Sequence, residues 1–132
     1  WLIAQMGGRP EVLPEQLLQT LHSPQVETPG DLRSTPWRRE RLVDAQYALG
    51  WRIYQYDDEQ LVFHAGAVQG YRAMIGFLPK RRFGLVMLWN CESAAPAGLL
   101  PMLMDRYLDL PAVDWAGLDK AGRTRQQAGD AG

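Results

Sequence analysis

Cysteine and histidine are scarce in this chain: its 132 residues include one cysteine, Cys91, and two histidines, His22 and His64. A lone cysteine cannot close an internal disulfide, so the redox compartment stays open. Three ligand-type residues scattered this widely make no metal set, because zinc and similar ions need clustered Cys and His. No sequence feature asks for a cofactor. A surplus of charge is missing too, with 14 Lys and Arg against 15 Asp and Glu, a net charge of −1. That balance gives no reason to expect nucleic acid or an anionic membrane as partner. No apolar run approaches the ~20 residues of a membrane span. No charged n-region marks a signal peptide. The sequence opens on Trp1 as though already inside a helix, with nothing before it to act as a cap. The expectation is a C-terminal piece of a longer protein.

What is present suits one domain with its own core: 46% of residues are hydrophobic. The first part, 1–22, reads as a helical lead-in. "WLIAQM" is stopped by Gly7, Gly8 and Pro10, and "LPEQLLQTLHS" follows as a short amphipathic helix with Pro14 in its first turn. Residues 23–45 carry Pro24, Pro29, Gly30 and Pro36 and read as a long Pro/Arg-rich loop. Its arginines are diluted by Asp31, Glu40 and Asp44, so it is expected to be a solvated surface.

Residues 46–111 read as an antiparallel sheet plus a C-terminal helix. Four runs have the length and the aromatic and branched content of strands: "YALGWRIYQY" (47–56), "QLVFHA" (60–65), "YRAMIGFLP" (71–79) and "FGLVMLWN" (83–90). The links between them are short, and short links join only antiparallel neighbours, so the four form a meander. "FGLVMLW" is apolar at consecutive positions, the mark of a strand covered on both faces. "APAGLLPMLMDRYLDL" (95–110) reads as a helix that starts or kinks near Pro101 and stops at Pro111. The fold class is therefore α+β. Residues 112–132 are polar and glycine-rich, with nothing to bury, and are expected to be disordered.

The stretch "LVFHAGAVQGYRAMIGFLP" (61–79) places the strand-borne histidine beside a glycine at the mouth of a loop. Together with the glycine-tryptophan strand, the "LP" before a basic turn and the apolar strand ending in asparagine, it resembles the C-terminal sheet of serine beta-lactamase-like hydrolases. That superfamily includes class C beta-lactamases, D-alanyl-D-alanine carboxypeptidases, D-aminopeptidases and esterases. The resemblance covers roughly residues 1–115 and implies a portion of the beta-lactamase/transpeptidase-like fold.

Members of the superfamily carry three motifs: S-x-x-K with the nucleophile, Y-x-N or S-x-N, and K-T-G or a variant on a strand. His64-Ala65-Gly66 matches the third in its histidine form. The resemblance implies that His64 orients a leaving group or holds a substrate carboxylate. It also implies that Gly66 lets substrate lie against the strand edge, and that the N–H of Ala67 forms half of the oxyanion hole. Ala65 stands where beta-lactamases and carboxypeptidases usually carry a hydroxyl, which shifts weight toward an esterase or amidase. Ser23, Ser34 and Ser93 are followed by "PQV", "TPW" and "AAP", so none begins S-x-x-K, and no tyrosine begins Y-x-N.

A chain without the nucleophile forms no acyl-enzyme. The leading reading is thus the C-terminal portion of a serine hydrolase acting on a lactam, D-amino peptide or ester, inactive alone. Substrate would be met only in the intact parent. This chain would self-associate or pair with the missing N-terminal part. The alternative is a non-catalytic binding or interaction module on the same sheet. The resemblance leans toward a periplasmic or secreted location and leaves a cytoplasmic one open.

Overall fold

The computed structural model describes residues 1–119; the tail beyond, expected to be disordered, lies outside the described residues. Contacts divide the chain into two units, Trp1–Cys91 and Glu92 onward. The first unit opens with helices α1 (Leu2–Gln5) and α2 (Glu15–His22), and Pro14 sits at the N-cap of α2. Strand β1 (Val26–Glu27), a 3-10 turn (Pro29–Arg33) and helix α3 (Pro36–Arg41) follow. Then come β2 (Leu42–Tyr47), β3 (Arg52–Tyr56), β4 (Glu59–Val68), β5 (Tyr71–Leu78) and β6 (Phe83–Trp89). The six strands form one sheet in chain order, and every neighbouring pair is antiparallel. The architecture is α+β.

The sheet has six strands where the sequence patterning points to four. Residues 47–56 are not one strand: Gly50 adopts φ 81°, which turns the chain between β2 and β3. Upstream, the prolines do not break structure but begin it. Pro29 and Pro36 occupy the first positions of the 3-10 turn and of α3, where the missing N–H costs nothing. β4 also runs on to Val68, so the link expected over 66–70 shrinks to Gln69-Gly70. β6 differs as well. It closes one edge of the sheet, and Val86 and Leu88 are 51% and 76% exposed rather than covered on both faces.

Alternation assigns the core to two faces. On one, Ile53, Val62 and Phe77 pack with Ala48 and Trp51 beneath Leu2, Met6 and Leu21 of the helical lead-in. Gly84 lets that layer close: a Cβ there would stand 2.8 Å from the Cβ of Phe77 and 3.0 Å from a methyl of Leu2. On the other face, Tyr54 and Phe63 stack with centroids 5.7 Å apart, and Trp37 of α3 meets Tyr54, Tyr56 and Phe63 at 6.1–6.4 Å. The Arg38 guanidinium lies over Trp37, Tyr54 and Phe63 at 5.2–5.5 Å. Each such contact is worth about 0.5–2 kcal/mol, more as the cation is desolvated.

One carboxylate ties this aromatic face together. Asp31 accepts from Arg52, from the Tyr54 hydroxyl at 3.1 Å and from the Thr28 hydroxyl at 3.2 Å, and pairs with Arg38 at 3.8 Å. Burial pushes the Tyr54 phenol well above its usual range, with Asp31 adding to the effect. In the second unit, a 3-10 turn (Ala95–Gly98) leads into α4 (Leu99–Tyr107), with Pro101 in the helix's first turn. There the Trp115 indole donates to buried Asp105 at 2.8 Å.

Removing Asp31 strands two guanidinium groups and a phenol on a half-buried surface. Asp31→Ala is expected to lower unfolding free energy by about 2–3 kcal/mol, and Asp31→Asn by about 1. Urea denaturation followed by tryptophan fluorescence measures both. Equal, near-zero losses would show that the network does not hold α3 to the sheet.

Candidate active site on strand β4

β4 is ten residues long and β3 is five, and the mismatch falls at one end. Pairing between them runs from Tyr56↔Glu59 to Arg52↔Phe63 and stops. Pairing with β5 continues to Val68↔Tyr71. Residues His64 to Val68 therefore have a strand neighbour on one side only. The hairpin closes through two residues, so Val68 and Tyr71 form its hydrogen-bonded closing pair. Alternation from that pair directs the N–H and C=O of Ala67 and Ala65 away from β5, toward the open side. The Arg72 guanidinium staples the hairpin by donating to the carbonyls of Val68 and Tyr71 at 2.9 and 3.0 Å.

The four residues singled out in the sequence are thus consecutive on one free strand edge. Ala65, Gly66 and Ala67 are exposed and His64 is half-buried. The His64 ring stands edge-on to Trp51, centroids 6.4 Å apart, and opposite Ile75 on β5. Trp51 comes from the β2–β3 turn, and no spacing in the sequence marks its meeting with His64. A Cβ built on Gly66 would meet nothing within 4 Å. Packing among the described residues does not demand glycine there, and the bare position leaves open space beside the edge.

Two of the serines have local structural roles. Ser34 Oγ donates to the Asp31 carbonyl at 2.8 Å and accepts from Arg38 at 2.7 Å, a turn and helix-start role. Ser93 Oγ accepts from the Ala95 N–H at 3.2 Å. Among the described residues no group of three or more His, Cys, Asp or Glu could hold a metal ion, and no helix is long and apolar enough to cross a membrane.

The beta-lactamase family model matches residues 3–108. The chain belongs to the beta-lactamase family. Among curated proteins, this beta-lactamase-family chain is 32% identical over 76 residues to an unguisins hydrolase, ungD, from Aspergillus violaceofuscus, covering 55% of the chain and 13% of that protein. It is 32% identical over 79 residues to Protein flp from Staphylococcus aureus, covering 60% of the chain and 14% of flp. The chain thus spans about a seventh of the length of these relatives. Among solved structures it resembles the octameric penicillin-binding protein homologue from Pyrococcus abyssi, with TM-score 0.68 and 21% identity over 83% of the chain and 23% of the homologue. That likeness establishes the fold.

The second histidine plays a different part. His22 ends α2, shares a 2.8 Å hydrogen bond with the buried Gln5 side chain, and packs against Trp51 and Phe77 at 5.8 and 5.5 Å. Burial holds its pKa below the ordinary value of 6.5. Below about pH 6.5 the unfolded chain therefore binds a proton that the folded chain refuses, and folding stability falls as pH drops. The loss levels off once pH passes below the folded pKa. His22→Gln is expected to flatten the decline in Tm between pH 7.5 and 5, read by circular dichroism. An unchanged pH profile would place the titrating group elsewhere.

Proposed function

We propose that this chain is the C-terminal, sheet-bearing part of a serine hydrolase of the beta-lactamase family and that it is inactive by itself. The observation that carries the proposal is the free edge of β4 at His64-Ala65-Gly66-Ala67. An extended substrate can lie along that edge over the bare Gly66, with its carbonyl oxygen accepting from the Ala67 N–H. A serine in the remainder of the intact protein supplies the nucleophile and the other half of the oxyanion hole. Its oxygen bonds to the carbonyl carbon while its proton passes to a neighbouring base. The oxyanion then collapses, the bond to the leaving group breaks, and His64 orients the departing atom as it takes up a proton. Water repeats the addition on the acyl-enzyme and frees the acid. The name of the related unguisins hydrolase favours hydrolysis. Ala65 offers no hydroxyl for a substrate carboxylate, which favours an ester or amide over a lactam or a peptide C-terminus.

The alternative is an interaction module that keeps the sheet and has lost the chemistry. Kinetics separate the two. The chain alone is expected to leave p-nitrophenyl esters and chromogenic beta-lactams at the buffer rate, while the full-length protein turns over one of these classes. There, His64→Ala lowers kcat/KM by roughly 10²–10⁴, and Gly66→Val does as much by closing the edge. Wild-type rates in both variants would make the histidine structural.

The same reading implies a partner for β6. β6 ends the sheet order, with no further strand beside it among the described residues, and its apolar run is a template for another strand. Either the protein's N-terminal part or a second copy is expected to cover it. Light scattering behind size exclusion should find the chain alone associating at micromolar concentration. A clean monomer whose 83–89 amides exchange no faster than those of β4 would contradict this.

A further inference from the structure

A cavity of about 500 Å³ opens on the β4–β5–β6 end of the sheet, directly beside the free edge. Register explains it. Gly66↔Ala73↔Leu88 lie opposite one another, as do Val68↔Tyr71, so their side chains share one face with His64. The lower half of that face, around Val62 and Phe77, lies beneath the helical lead-in. The upper half has only Gly66 and Ala73 as a floor, walled by Val68, Tyr71, Leu88 and Asn90. Its walls are overwhelmingly apolar, and Val68, Tyr71 and Leu88 are each more than 60% exposed, so they contribute little to this chain's own core.

The order along β4 gives the cavity a direction. With the carbonyl oxygen at Ala67 and the leaving group toward His64, the acyl substituent runs from Ala67 toward Val68, beside the cavity. We infer that this cavity is the acyl subsite of the enzyme and that it selects substrates with an apolar acyl group of several carbons. The inference rests on the hydrolase reading above and adds the substrate class. The small floor residues set its depth: a side chain larger than alanine at 73 fills the space without touching the β4 edge. Exposed Leu88 supplies a wall that can be made polar with little cost to folding.

The test compares p-nitrophenyl acetate with p-nitrophenyl hexanoate on the full-length protein. Four extra methylenes buried in the cavity should raise kcat/KM for the hexanoate about 10²-fold over the acetate. Ala73→Leu is expected to bring that ratio to within about threefold of unity while the acetate rate stays within about twofold of wild type. Leu88→Ser, at a position 76% exposed in this chain, should cut the ratio about tenfold. A preference for acetate, or a hexanoate preference that neither variant moves, overturns the subsite and leaves the hydrolase reading standing. Turnover of neither ester by a folded full-length protein removes esters as substrates, and the acyl subsite with them.

Discussion

The length mismatch between β3 and β4 is the constraint on which the site depends. Backbone N–H and C=O groups are obligatory hydrogen-bonding groups, and leaving them unpaired beside a buried face is unfavourable. β3 starts only at Arg52, after the chain has turned through Gly50 and Trp51 from β2. β4 continues for five residues past its last β3 partner, and only β5 pairs with them. Those residues keep backbone groups turned to the open side, on a strand held from the other side by β5, and that is the edge along which substrate is proposed to lie. A reacting carbonyl gains most from donors that need no reorganisation, which is why the proposed role suits a strand edge fixed by its hairpin. The Arg72 guanidinium on the Val68 and Tyr71 carbonyls keeps the end of the hairpin from fraying.

Behind the edge, two different chemistries hold the sheet. The helical lead-in covers one face with aliphatic and aromatic packing, in which Trp51 meets Phe77 and the ring of His22 edge to face. The opposite face carries the Trp37–Tyr54–Phe63 stack with a guanidinium laid over it and Asp31 at its rim. The Arg38 Nε is buried there with no hydrogen-bond partner, while its Nη1 donates to Ser34 Oγ at 2.7 Å, so ring contact and that bond together hold the cation. Trp51 bridges the first of these layers and the site, touching both Phe77 and His64. The position of the His64 ring is therefore tied to the core.

His64-Ala65-Gly66, the hairpin that follows and the antiparallel order of β3 to β6 were legible because they are local. Strand-length apolar runs joined by short links can pair only with their neighbours. The segment 23–45 was not legible as structure. Proline is the strongest local signal of a break, and Pro29 and Pro36 instead sit where helical turns begin. Its charge pattern looked like a solvated loop because the partners of Asp31 are spread along the chain: Arg38 lies on α3, and Arg52 and Tyr54 lie on β3, 21 and 23 residues away in sequence. No spacing rule marks such a set.

The sequence by itself determined the family and the α+β class, since each depends on residue order along the chain. Tertiary structure alone decided that β4 outruns β3, that Trp51 meets His64, and that Gly66, Ala73 and Leu88 line one open cavity. These follow from register across three strands, and a shift of one residue would turn every one of those side chains to the other face.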